Sequence, residues 1–476
     1  MTPLRQGMHC TVIALALALI LLKAEAQSSA PAAAGLSPKV TPPVHLTAEQ
    51  DRQRMLGMLG LQESEMRPRP DPDARSPHAT NYNESKANVY PNLPDPLVFK
   101  NGQRVQTGGD WVKRQQEIRE DFAKEVLGHM PRSLPSAEWH VVSTTNEKYG
   151  GVDVVTKRLA GRVVAPDSPI KVSIDLLLVT PANAKRPVPV IMELDFYKDF
   201  QSAISGPMDG FTPGPWSVDG RPVLQRGWGF AILNPVSYQA DDGAGLTEGI
   251  IGLINRGQPR KLDDWGVLSA WAWGASRVLD YFETDKAVDA KRVGLAGHSR
   301  FGKAVLVTLA QDSRFAVAYS SSSGEGGAKL YRHIYGEQIP NIAGPSLYHW
   351  MAGNFLKYAG PLTAGDLPVD NHELIALCAP RPVFIGGGAS TGDGYADPNG
   401  DAWADPRGMF LAEVAAGPVY KLLGAKDLGT TELPPVGTAL MSGDLAFRQH
   451  SGGHTPAPNW PYFLDFAARY LEPKSK

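Results

Sequence analysis

The sequence predicts a three-layer α/β sandwich with a mostly parallel central sheet, and three observations carry that expectation. Several short apolar runs are continuous rather than alternating, which suits a sheet covered on both faces. Two of these runs are separated by a long helical segment, the strand–helix–strand order of a parallel sheet. One run also passes through a glycine-flanked turn directly into another helical segment.

The runs are VSIDLLLVTP (172–181), PVPVIMELDF (187–196), GFAILNP (229–235) and RVGLAGHS (292–299), continued by FAVAYSSS (315–322) and RPVFIGGG (381–388). Between the third and fourth, WGVLSAWAWGASRVLDYFET (265–284) reads as a helix; further helices are expected over 302–311 and 462–471. Upstream, Thr47 with Gln50 three residues later reads as the capping box of a short helix within 47–62. Trp111, Ile118, Phe122 and Val126 recur at roughly helical spacing within 111–128. The proline-rich, polar stretch 64–92 is expected to cross a surface in extended form, and no internal repeat is evident.

With 476 residues, 42% of them hydrophobic and 20% charged, the chain can bury a large core. Its 47 basic and 49 acidic residues leave a net charge of −2 with no basic tail or stripe, so nucleic acid is not an expected partner. The 49 glycines and 40 prolines imply many turns and long loops, which often shape active sites. At the N-terminus, Arg5 and His9 precede the apolar run Val12 to Leu22, which ends near Ala24, Glu25 and Ala26. That is the order of a secretory signal peptide. The run falls short of the roughly 20 apolar residues of a spanning helix; an uncleaved anchor is the alternative. Cleavage before Gln27 would remove Cys10 and leave only Cys378, which reads as a core filler beside Leu377, Ala379 and Pro380. A secreted or periplasmic monomer without stable membrane insertion is expected.

The sharpest local signal is Gly297-His298-Ser299-Arg300-Phe301-Gly302, where an apolar strand runs into a helix. This is the context of the nucleophile elbow of the α/β-hydrolase fold. The usual second glycine is displaced by one residue, since position 301 is Phe; a simple strand-to-helix turn capped by Ser299 is the competing reading. A nucleophilic serine needs a base and an orienting acid, which hydrolases of this fold supply in the order Ser, acid, His. His454, in the glycine-rich loop before the last helix, is the candidate base, with His450 as its rival; His349 and His372 read as packing or pocket residues. Asp393, Asp397, Asp401 and Asp405 all satisfy the chain order for the acid. Asp393, Asp397, Asn399 and Asp401 would also suit calcium, but a solvated loop explains them more simply, and neither metal nor cofactor is expected. The domain plan is therefore a signal peptide over 1–26, a flexible leader and N-terminal extension over 27–92, and a catalytic domain over 93–476.

Over about 93–474 the chain resembles the glucuronoyl esterases, carbohydrate esterase family 15, particularly their bacterial members. The resemblance rests on LPDPL (93–97), W-G-x-L-x-A-W-A-W-G-x-S-R (265–277), GHSRFGK (297–303), SGEGGAKLYR (323–332), YGE (335–337), HW (349–350), APRPVF (379–384), WADPRG (403–408) and SGGH (451–454). It implies that Ser299 is the nucleophile, His454 the general base and Arg300 an oxyanion-stabilising residue. It further implies that Lys303 and Glu337 contact sugar hydroxyls and that Trp403 lies beside the sugar. Many members keep a catalytic glutamate at the position of Ser322, whereas some bacterial relatives place an acid after the later strand, where this chain has Asp401. Asp401 is accordingly the expected acid, with Asp393 and Glu325 as rivals, and 387–400 resembles an insertion. The implied substrates are esters of (4-O-methyl-)glucuronic acid of glucuronoxylan with lignin alcohols. Another carbohydrate esterase, such as an acetyl xylan esterase, and a catalytically impaired carbohydrate-binding protein are the alternatives.

Overall fold

The computed structural model describes residues 42–165, 168–196, 208, 213–214, 216–391 and 400–473. Its ten-stranded sheet comprises β1 (Ala137–Tyr149), β2 (Val152–Val163), β3 (Ser173–Pro181), β4 (Val188–Leu194), β5 (Gly229–Asn234), β6 (Val288–His298), β7 (Val317–Ser321), β8 (Val383–Gly388), β9 (Ala439–Leu440) and β10 (Leu445–His450). The spatial order is β1-β2-β3-β5-β4-β6-β7-β8-β10-β9. From β5 to β10 neighbouring strands run parallel, while β1, β2, β3 and the short β9 pair antiparallel at the two edges.

Every residue of β4 and β5 is buried, Glu193 and Asn234 included, and the otherwise apolar composition is that of strands covered on both sides. Alternation then sorts their side chains between two cores. Val190, Met192 and Leu194 enter one with Ala231 and Leu233, whereas Ile191 enters the other with Phe230 and Ile232. The first core also holds residues of α3 (Val267–Phe282), α4 (Arg300–Gln311), α5 (Asn371–Cys378) and α6 (Pro406–Leu422), which follow α1 (Ala48–Met58) and α2 (Gly108–Phe122) in the chain. The second is closed by α7 (Trp460–Leu471), through Trp460, Phe463, Leu464, Phe466, Ala467 and Leu471.

The six apolar runs form strands and the expected helices form, with shifted ends. The first capping box is present: Gln50 N donates to Thr47 Oγ1 at 3.1 Å and Thr47 N to Gln50 Oε1 at 2.9 Å. The helix expected from 265 starts at Val267, after Gly266 in an extended conformation as its N-cap; a Cβ on Gly266 would lie 2.1 Å from the Trp350 carbonyl oxygen, so only glycine fits there. The β1–β2 hairpin was not anticipated; β1 is polar and largely exposed, so it lacks the apolar density that marks the central strands. Cys378 is buried and free, and burial pushes its thiol up to about 11.

Residues upstream of 93 are fastened to the body by hydrogen bonds. Val44 N donates to Gly257 O at 2.8 Å, and Arg67 Nη1 to Gly360 O and Leu362 O at 2.8 and 2.6 Å. Gly336 N donates to Asn81 O at 3.0 Å, and Ile334 N to Ala87 O at 2.8 Å. The expected signal peptide lies outside the described residues. Among these, no helix is long and apolar enough to cross a membrane.

Candidate active site

Ser299 sits at the carboxyl end of β6, between the strand and α4, with φ 56° and ψ −124°. A non-glycine residue adopts such a conformation only where its surroundings enforce it. Two hydrogen bonds hold the turn: Ser299 N donates to Ser321 O at 2.8 Å, and Lys303 N to Ser299 O at 3.1 Å. The glycines explain the motif's irregular spacing. A Cβ on Gly297 would lie 2.6 Å from Phe301 O, and one on Gly302 would lie 2.9 Å from Ser321 O. The close approach to β7 thus falls on residue 302, leaving Phe301 to pack on Trp271 with ring centroids 5.1 Å apart.

His454 arrives in the loop between β10 and α7, and its ring centroid lies 4.3 Å from that of His298, the neighbour of Ser299. Its Nδ1 is 2.7 Å from Asp401 Oδ1. The other oxygen, Oδ2, accepts from Ser322 Oγ at 2.7 Å and from Gly388 N. Asp401 is fully buried and carries three contacts on its two oxygens. Buried polar groups stabilise one arrangement only when satisfied in this way. His298 Nδ1 contacts Ser321 Oγ at 3.0 Å. Burial, then repulsion from His454 and His450, holds His298 well below the ordinary histidine range, so a neutral ring backs the His454 imidazole.

The other candidates divide by their partners. His450 pins its own loop, with Nε2 3.1 Å from Thr455 O and Nδ1 accepting from Gly452 N at 3.0 Å. His372 contacts Pro94 O at 2.8 Å. Glu325 is fully buried against Lys329, and Asp405 caps α6 while contacting His333 Nδ1 at 2.6 Å. Asp393, Asp397 and Asn399 lie outside the described residues. Among the described carboxylates, Asp401 is the one that contacts His454.

Lys303 and Glu337 come together in the floor beside the elbow. The Lys303 ammonium donates to Ser323 O (2.7 Å), Glu325 O (2.6 Å) and Glu337 Oε2 (2.9 Å), which occupies all three of its protons. Glu337 Oε2 also accepts from Glu325 N at 3.1 Å, and Glu337 N donates to the carbonyl of the nearly buried Trp403 at 2.8 Å. Arg300 forms an ion pair with Asp241, which also accepts from His349 Nε2 and Trp350 Nε1 at 2.9 and 2.6 Å. Asp241 escaped the sequence reading, since SYQADDG matches no catalytic pattern. Ser322 was seen there only as a missing carboxylate.

The parallel sheet and the strained elbow at its centre define an α/β-hydrolase. Comparison with known proteins narrows the class. A model of the fungal glucuronyl esterases matches residues 260–424. The chain is 31% identical over 432 residues to the carbohydrate esterase MZ0003 of an unidentified prokaryote, covering 84% of this chain and 95% of that one. A solved CE15 glucuronoyl esterase from Teredinibacter turnerae superposes with a TM-score of 0.80 at 42% identity, over 89% of this chain and 99% of the other. A 4-O-methyl-glucuronoyl methylesterase of Podospora anserina is 27% identical over 62% of this chain and 54% of its own length. The chain belongs to carbohydrate esterase family 15, the glucuronoyl esterases.

Proposed function

We propose that the protein hydrolyses esters of the C6 carboxylate of (4-O-methyl-)glucuronic acid through a Ser299–His454–Asp401 triad. The observation that carries this reading is the His454–Asp401 pair, with the His454 ring packed at a tilt against the residue that precedes the strained Ser299. With Asp401 accepting the Nδ1 proton of His454, the Nε2 lone pair becomes the base for the serine hydroxyl. Ser299 Oγ attacks the ester carbonyl as His454 takes its proton. The tetrahedral oxyanion then collapses, and His454 returns the proton to the departing alkoxide. Water activated by the same imidazole attacks the acyl-enzyme, releasing the uronic acid and restoring the serine.

Arg300 supplies positive charge where the oxyanion develops; one such preorganised donor is worth roughly 3–4 kcal/mol. Glu337 accepts from sugar hydroxyls, and Trp403 bounds the sugar site. Lys303, with its protons already engaged, acts mainly by orienting Glu337. In biomass the substrate would be a lignin alcohol esterified to glucuronoxylan, met by a protein exported through its N-terminal signal.

Ser299→Ala tests the mechanism. The variant is expected to keep its fold by circular dichroism and to lose hydrolysis of benzyl glucuronate; a variant that still turns over would refute Ser299 as nucleophile. A wild type that cleaves a sugar acetate but not the glucuronate ester would refute the substrate assignment.

A further inference from the structure

We infer that Asp241 is a positioning residue for the reaction, holding Arg300 beside the nucleophile and fixing the aromatic platform that Arg300 and Lys303 share. The inference rests on the esterase reading above, with Arg300 acting on the oxyanion. Asp241 follows β5, whose carboxyl end points the same way as that of β6, so the loop reaches the elbow from two strands away. Its Oδ2 accepts from Arg300 Nη1, and its Oδ1 accepts from both His349 Nε2 and Trp350 Nε1. The Arg300 guanidinium carbon lies 5.3 Å from the Trp350 ring centroid and the Lys303 Nζ lies 5.4 Å from it, both at cation–π range.

One carboxylate therefore gathers three N–H donors, one from Arg300 and two from the adjacent His349 and Trp350 far along the chain. The task needs two acceptor oxygens, and an amide offers only one. The Asp241 side chain is largely buried, while that of Arg300 is a third exposed. Without that carboxylate, the guanidinium would lose the ion pair that ties it to a largely buried anchor. Burial alone would raise the Asp241 carboxyl, but the bonds from His349 and Trp350 and the charge of Arg300 outweigh it and hold it well below the usual carboxylate range. The anchor thus stays charged wherever an imidazole base can work.

The test is a double-mutant cycle on benzyl glucuronate with wild type, Asp241→Asn, Arg300→Gln and the double variant, with melting temperatures measured alongside. Asp241→Asn is expected to lower kcat by about tenfold or more while KM stays within about twofold, the signature of a lost transition-state interaction. In the Arg300→Gln background the same change should cost less than about twofold, since nothing remains to position. Losses that multiply in the double variant, an unchanged kcat, or a loss confined to KM would overturn the role of Asp241. If Asp241→Asn does not fold, Asp241→Glu carries the same cycle, keeping the charge but displacing the carboxylate. A wild type inactive on the ester would overturn the esterase reading itself, whereas an active wild type with multiplying losses overturns only this inference.

Discussion

Asp401 and Glu325 show how two buried carboxylates in one neighbourhood come to different uses. Asp401 presents one oxygen to His454 and is satisfied on the other by Ser322 and Gly388. Glu325 is closed off by Lys329, and burial raises its carboxyl despite that ammonium. We expect Asp401→Asn to cut kcat steeply, towards the roughly 10⁴-fold loss seen when a triad acid is neutralised. Glu325→Gln should instead cost folding stability, on the order of 1–3 kcal/mol for a damaged buried bond, with kcat little changed. Steady-state kinetics and urea unfolding of both variants separate the two; a kinetic loss confined to Glu325→Gln would exchange their roles. Ser299 and His454 were legible because an elbow and chain order mark them. Asp401 stood out from its acidic neighbours only by family resemblance. The partner of a hydroxyl 79 positions away, which is what gives Ser322 its use, leaves no trace in a single sequence.

Among the elements, the loops leaving β8 and β10 interlock, and Gly388 is where they cross. A Cβ there would meet Gly452 O at 2.2 Å and Gly453 O at 2.5 Å, both backbone atoms of the segment leading to His454. Ala389 N and Ser390 N also donate to Gly452 O, and Asp401 N donates to Ser390 O. The segments that carry Asp401 and His454 are thereby fixed against each other. Gly388→Ala should push the His454 loop away and lower kcat at least tenfold, a geometric error of the kind that positioned groups do not tolerate. Its kcat against that of wild type is the check, and an unchanged value would show that the loops move independently. The central strands were readable because burial on both faces leaves mostly apolar residues. The edge hairpin β1–β2 was not, because exposure on one side dilutes the same signal.

For the whole molecule, the question is how the segment before residue 93 joins the sheet-bearing body. His333 makes one link, with Nδ1 2.6 Å from Asp405 and Nε2 3.1 Å from Glu84 of the upstream segment. Burial alone would lower its titration, but the Asp405 hydrogen bond and charge, with Glu84, outweigh it and raise His333 above the ordinary value. The folded state therefore binds this proton more tightly than the unfolded chain. That stabilisation is complete below about pH 6.5, the free histidine value, and is lost as pH rises through the raised one. The stability difference between wild type and His333→Gln, from urea unfolding, should shrink as pH rises above about 6.5; a difference that grows would reverse the sign. For 64–92, which holds Glu84, the sequence suggested only an extended path, since its attachments are to carbonyls and side chains far along the chain.

The contact between Ser322 and Asp401 has an evolutionary consequence. It makes Ser322, just after β7, and Asp401, bound by Gly388 N at the end of β8, adjacent pedestals for a single negative charge beneath one imidazole. A lineage could move that charge from one pedestal to the other through an ancestor bearing both, its two carboxyls sharing a proton, without ever losing turnover. A serine at position 322 is then no mark of a dead enzyme.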